Sequence, residues 1–347
     1  MSEPGPGSES MRDQAGILRF ARERLVADGK VALVTVVDTW GSAPVPVGGQ
    51  MAVAADGRFQ GSVSGGCIEG EVITEAQDIV ASGKPKSLEF GVADETAWSV
   101  GLPCGGRVKV FIERLEAASG GLAYVDRAAA AQASRRGLIV RTRLADGQRE
   151  LIEPGTPDLA DDIVRRFKSG QSKVVATPDG EVFLQALLPP ARILLIGATH
   201  IAQLVTEMAR LAGYEVIVVD PRTAFATPER FAGVTLHAEW PDDVLPRIGF
   251  DPYTALVVVA HVAHIDDQAL KLALRQDCLY IGALGSKRNH EKRTGRLKEA
   301  GFTVEEIARI KCPIGIDIGA QSPAEIAVAI MAEVILAVRG AKVFKKA

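Results

Sequence analysis

Apolar residues recur along the chain with two periods, and each change of period marks an element. From about residue 11 to 27, Ile17, Leu18, Leu25 and Val26 keep a helical spacing. Val31–Val37 is a β-branched run that predicts a strand, and Gly41-Ser-Ala-Pro-Val-Pro-Val-Gly-Gly49 interrupts it. Met51–Ala55 and Arg58–Val63 flank Asp56-Gly57, a pair that favours a tight hairpin turn. A helix is predicted to open at Ile68, with Val72, Ile73, Ala76, Ile79 and Val80 on its apolar side and Gly83 at its end. Val108, Val110 and Ile112 then alternate with Arg107, Lys109 and Phe111 as a strand requires. Between 115 and 190 the pattern predicts an Ala-rich helix, two or three strands and a short helix near 158–168.

Leu187-Leu-Pro-Pro190 reads as a domain boundary, and the pattern beyond it is simpler. Ile193–Ile196, Glu215–Val219, Ala255–Val259 and Leu279–Ala283 are short buried strands. Helices are expected from just after Gly197 to about Leu211 and again near 267–276. Ser322-Pro323-Ala324-Glu325 supplies the cap, the N1 proline and the N3 acid of a last helix. Strands alternating with helices predict a parallel sheet. The expected architecture is therefore α/β: a disordered tail over 1–10, an α+β domain over 11–188, and a Rossmann-like doubly wound parallel sheet over 189–347.

Composition narrows the function classes. Hydrophobic residues make up 47% and charged residues 24%, which suits a packed core and excludes a disordered chain. Forty Lys+Arg against 43 Asp+Glu give a net charge of -3, which argues against nucleic-acid binding. No apolar run approaches the ~20 residues that span a bilayer. The start, MSEPGPGSES, lacks the basic and apolar regions of a signal peptide, so a cytoplasmic protein is expected. Cys67, Cys104, Cys278 and Cys312 fit no disulfide framework and no close-spaced zinc pattern. Symmetric dimers are the commonest soluble oligomers, which makes a homodimer the expectation.

Two regions carry candidate chemistry. In the first, Cys67 follows Gly65 and Gly66 at a helix N-terminus, where backbone N–H groups and the helix dipole favour a thiolate. Cys104 precedes Gly105 and Gly106 in a small-residue loop that a bulky ligand can approach. Glu69, in the first helical turn, is placed to suit the dipole, to accept a proton or to bind a ligand amine. Cys278 and Cys312 read as packing residues.

The second region is the Rossmann crevice. Gly197-Ala-Thr-His-Ile-Ala202 departs from G-x-G-x-x-G/A at Thr199, whose side chain fills space that phosphates need. Asp220 stands where an acid holds a ribose, so NAD(P) binding is one reading. His261, His264 and Asp266 follow a strand facing the same crevice, as a ligand site, a metal trio or a structural pair. Ser286, Lys287 and Arg288 can meet an anion there, whereas Lys292, Arg293, Arg296 and Lys298 read as a solvated helix face.

Taken together, these segments resemble the XdhC/CoxI family of accessory proteins for molybdenum hydroxylases. The resemblance runs through Gly41-Ser-Ala-Pro44, Gly65-Gly-Cys-Ile-Glu69, Leu102-Pro-Cys-Gly-Gly106, the Gly197 turn with His200, and Asp220-Pro-Arg222. It continues through Tyr280-Ile-Gly-Ala-Leu-Gly-Ser-Lys-Arg288 and Pro313-Ile-Gly-Ile-Asp-Ile-Gly-Ala320 with Ser322-Pro323. It implies an N-terminal XdhC-type domain and a C-terminal Rossmann domain. It also implies a protein that binds molybdenum cofactor (molybdopterin, in mononucleotide or dinucleotide form), helps its sulfuration and delivers it to an apo-enzyme such as xanthine dehydrogenase. Cys67 and Cys104 then coordinate molybdenum, carry sulfur as a persulfide or shield a sulfido ligand. The family pattern has Arg where this chain has Val45. Two other readings remain: an NAD(P)-dependent oxidoreductase, and a ligand-free scaffold between a cysteine desulfurase and the target enzyme.

Overall fold

The computed structural model describes residues 14–41, 43–91 and 106–339. The chain forms two compact units, and the boundary falls between Pro189 and Pro190.

In the first unit, α1 (Gln14–Asp28) precedes β1 (Lys30–Trp40), β2 (Gln50–Val53) and β3 (Phe59–Gly61). Then come α2 (Glu69–Ser82), β4 (Lys86–Phe90), β5 (Arg107–Glu116) and α3 (Gly121–Ala133). The five strands make an antiparallel sheet of order β3-β2-β1-β5-β4. Alternation along β1 explains its cover on both faces. Ala32, Val34 and Val36 pack with Val72, Ala76 and Ile79 of α2, while Val31 and Leu33 pack with α1 and α3. Val45 is buried in the α2-side core, so this position packs rather than meeting solvent.

The same unit holds a second antiparallel sheet. It is built from β6 (Leu138–Arg143), β7 (Arg149–Ile152), β8 (Lys173–Thr177) and β9 (Gly180–Leu187), with α4 (Asp161–Ser169) between β7 and β8. Its order is β7-β6-β9-β8, so this stretch holds four strands where the pattern predicted two or three. Leu138 and Val140 share the α1/α3 core, whereas Ile139 packs with Ile163 of α4 on the other face.

The second unit runs β10 (Arg192–Ile196), α5 (His200–Leu211), β11 (Glu215–Val219), β12 (Thr235–His237), α6 (Pro241–Ile248) and β13 (Thr254–Val258). It continues with α7 (Ala263–Leu274), β14 (Tyr280–Ala283), α8 (Lys287–Glu299), α9 (Val304–Ile307), β15 (Ile310–Lys311) and α10 (Pro323–Arg339). The parallel sheet has order β12-β11-β10-β13-β14-β15, that of a dinucleotide-binding Rossmann fold. Such strands are apolar throughout because helices cover both faces. Ile193 and Leu195 join a core shared with α5 and α10, and Leu194 and Ile196 join one shared with α6, α7 and α8. β12 and β15, three and two residues long, are too short to show a period in the sequence. The strand order reverses between β10 and β13, which opens a crevice at their carboxyl ends.

Candidate functional site

In the first unit the site is the loop ahead of α2. Gly65 and Gly66 take φ of 81° and 113°, a region that side chains avoid. A Cβ at Gly66 would meet nothing within 4 Å, so conformation rather than space demands glycine there. Ser64 Oγ accepts the N–H groups of Cys67 and Ile68, each at 3.1 Å, which closes the entry to α2.

Glu69 folds the rest of this loop around itself. Its Oε1 accepts from Ser62 Oγ at 2.6 Å, Val63 N at 3.2 Å and Ser64 N at 2.9 Å. Its Oε2 accepts from Gly66 N at 2.8 Å and from Ser64 Oγ. Burial opposes ionisation, yet the hydroxyl and backbone donors outweigh it and hold this carboxyl at about 2. A carboxylate with every acceptor position filled does not take up a proton near neutrality. Glu69 is a positioning residue, and Cys67 stands exposed on the loop it shapes. Ser62 and Ser64 were missed in the sequence; two hydroxyls spaced just ahead of a first-turn acid were the available signal. Cys104 and Gly105 lie outside the described residues, and Gly106 is buried just before β5.

In the second unit, Gly197 ends β10 with φ of 104°. A Cβ there would stand 2.3 Å from Ala260 N, so glycine permits the close approach of the two loops at the crevice. Thr199 is the N-cap of α5, and its Oγ1 accepts from Ala202 N at 3.3 Å. The threonine hydroxyl thus occupies a helix N–H that a phosphate would otherwise use. His200 is exposed in the first turn.

Asp220 departs from the ribose-binding expectation. It is wholly buried, and its oxygens accept from Ala198 N and from the backbone and side chain of Arg222. Burial resists its charge, but the Arg222 guanidinium and the two backbone donors outweigh that and hold the carboxyl below its ordinary range. The acid ties the glycine turn to the end of β11 and has no acceptor position left for a diol.

His261, His264 and Asp266 do not converge. His261 is exposed with φ of 58°, and His264 lies 5.5 Å from the ring of Trp240 at an interplanar angle of 44°. Asp266 turns inward, with Oδ2 3.6 Å from Arg293 Nη2 and Oδ1 without a partner among the described residues. Desolvation outweighs the attraction of Arg293 and pushes its carboxyl up to about 6. Among the described residues no group of three His, Cys, Asp or Glu side chains can hold a metal ion, which overturns the metal trio.

Ser286 caps α8 by accepting from Asn289 N at 3.3 Å, and Lys287 and Arg288 are exposed beside it. Lys292 and Lys298 do face solvent and Arg296 is part-exposed, but the solvated-face reading fails for Arg293. Arg293 is buried and donates to Leu284 O at 3.0 Å and Cys312 Sγ at 3.4 Å. Arg296 grips both oxygens of Asp267. Their partners lie on other elements, so no local pattern reveals them. The Cys278 thiol packs against the core and is pushed up to about 12 by burial.

A glycine turn at the switch point of a six-strand parallel sheet, in a chain whose other unit carries an exposed cysteine loop, defines a Rossmann-type protein with an additional thiol-bearing unit. Residues 193–334 match the XdhC Rossmann domain and residues 25–91 match the XdhC and CoxI family. The chain belongs to the XdhC and CoxI family.

Among its relatives is the molybdenum cofactor insertion chaperone PaoD of Escherichia coli strain K12, 29% identical over 323 residues, with 93% of this chain and 88% of that protein covered. Another is a probable xanthine dehydrogenase subunit of Bacillus subtilis strain 168, 28% identical over 317 residues, with 88% and 92% covered. A crystal structure described as a xanthine dehydrogenase from Bacillus halodurans shares the fold at TM-score 0.65 and 22% identity, covering 94% of this chain and 96% of that one. No described helix is long and apolar enough to cross a membrane.

Proposed function

We propose that this chain binds molybdenum cofactor, supports its sulfuration and delivers it to a molybdenum hydroxylase apo-enzyme such as xanthine dehydrogenase. The observation that carries this reading is the exposed Cys67 thiol on a loop held by the satisfied Glu69 anion. A soft sulfur ligand suits a sulfur-rich metal centre, and a preorganised loop presents it without an ordering cost. Gly65 and Gly66, both exposed, add no side chain beside Cys67. Cys104, with Gly105 and Gly106, is the second thiol of the proposal. In the Rossmann unit, Gly197, His200, His261, Ser286, Lys287 and Arg288 supply polar and cationic groups for a phosphate-bearing ligand. The relatives' names support the cofactor and the hydroxylase partner.

On this reading a cysteine desulfurase is the sulfur-supplying partner, and the protein works in the cytoplasm as a homodimer. The oxidoreductase alternative loses its main supports at Thr199 and Asp220, both of which are engaged within the chain. The test is anaerobic incubation with molybdenum cofactor, desalting, oxidation and measurement of retained pterin fluorescence. Near-stoichiometric retention is expected, with a loss of about tenfold in Cys67→Ala. Retention unchanged in both Cys67→Ala and Cys104→Ala removes the thiols from the mechanism. Capture of NADH without pterin restores the oxidoreductase.

A further inference from the structure

At the end of the second strand, a dinucleotide-binding sheet reads a ribose diol with a carboxylate that accepts from two hydroxyls. An ionised carboxylate has about four acceptor positions. At Asp220, Oδ1 takes the backbone N–H and the Nε–H of Arg222, both at 2.9 Å, and Oδ2 takes Arg222 Nη2 at 2.6 Å and Ala198 N at 2.7 Å. What the crevice presents there is the guanidinium, on a side chain that is 29% exposed.

That guanidinium is held in place. It lies 4.4 Å over the Phe225 ring, and Arg230 stands 5.7 Å from the same ring. Arg230 Nη1 donates to Ala198 O at 3.0 Å, so both backbone polar groups of Ala198 are engaged. Among the described residues no acceptor takes the Nη1 hydrogens of Arg222. Asp220 and, more weakly, Asp266 are the acids that bear on Arg222.

We propose that Arg222 makes this crevice selective for a phosphate monoester at the position where other Rossmann sheets read a ribose diol. The recognition is reversed: the outward N–H donors of a guanidinium fixed by Asp220 replace a pair of acceptors. The inference rests on the proposed function only for the identity of the natural ligand, a pterin phosphate or a nucleotide phosphate.

Calorimetric titration of the full chain with adenosine 2′,5′-bisphosphate and with 5′-AMP isolates this position, because the two differ by one phosphate in place of one hydroxyl of the diol. The bisphosphate is expected to bind the wild type about tenfold to a hundredfold tighter. Arg222→Met keeps a chain over Phe225 while freeing the two acceptor positions a diol needs, so the preference is expected to invert. Equal binding by the wild type, no binding of the bisphosphate, or a preference unchanged in Arg222→Met overturns the proposal. The wild-type comparison needs no variant to fold.

A second arm uses the fluorescent pterin obtained by oxidising molybdenum cofactor, with and without its phosphate. Preference for the phosphorylated pterin over the bisphosphate identifies the pterin phosphate as the ligand, and the opposite order identifies a nucleotide. Retention of intact cofactor with no phosphate discrimination ends this inference and leaves the proposed function standing. Bisphosphate selectivity with no cofactor retained does the reverse.

Discussion

Glu69 and Asp266 are both carboxylates near the start of a helix, 8% and 2% exposed, yet they hold opposite relations to their protons. Burial raises both, but Glu69 is held at about 2 and Asp266 is pushed up to about 6. Ser62, Val63, Ser64 and Gly66 all donate to Glu69. Asp266 has an oxygen with no partner among the described residues and a guanidinium no nearer than 3.6 Å. At Glu69 five donated hydrogen bonds outweigh burial, whereas at Asp266, the more deeply buried of the two, burial wins. The thiol loop is built around a permanent anion, whereas the Rossmann unit holds an acid that changes charge just below neutrality.

The sharpest way to break this comparison is Glu69→Ala. It strands several buried donors at once, and denaturant unfolding is expected to show a loss of about 4 kcal/mol. A loss below about 1 kcal/mol would mean that the loop stands without its anion.

The next effect is a slope with pH. Asp266 has a folded value raised from 3.8, so its contribution to stability is fully present below 3.8 and is lost as pH rises through about 6. Glu69 runs the other way: its contribution is present above 4.5 and is lost as pH falls toward about 2. Between pH 5 and 7.5 the wild type is expected to lose about 1.5 kcal/mol more than Asp266→Asn. Parallel stability profiles for the two proteins would refute the assignment.

Smaller changes sharpen the same contrast. Ser62→Ala removes one donor to Glu69 and the acceptor of Gly65 N, with an expected cost of about 1 kcal/mol in thermal unfolding. Arg296→Met unpairs Asp267, the neighbour of Asp266, but Arg296 is 40% exposed and solvent screens the pair. About 0.5 kcal/mol is expected there. If Arg296→Met costs more than Ser62→Ala, the ranking of satisfied anions by their donors is wrong.

The fold was largely legible because its signals are local. Ile193–Ile196, Glu215–Val219 and Leu279–Ala283 announced buried parallel strands through continuous β-branched and apolar residues, and the structure places them in one sheet. Gly83 stopped α2 through its left-handed φ of 75°. The Glu69 cage was legible in principle, since its donors lie within seven residues of it. The basic run from Lys292 to Lys298 does not show its partners because exposed and buried arginines look alike along one helix; Arg293 turns inward toward Asp266, while the part-exposed Arg296 pairs with Asp267. Asp220 kept its predicted place at the end of β11, but what it binds was not visible in its spacing.

The sequence by itself determined the periods, the caps and the glycine positions, and with them the order of elements and the Rossmann turn. These depend on backbone torsions and on neighbours a few residues away. Only the tertiary structure decided which charges find partners on other elements, because donors distant in sequence reach a buried carboxylate only through the fold. That is why the Ala198 N–H, 22 residues away, meets Asp220, and why Asp266 keeps an oxygen with no partner among the described residues.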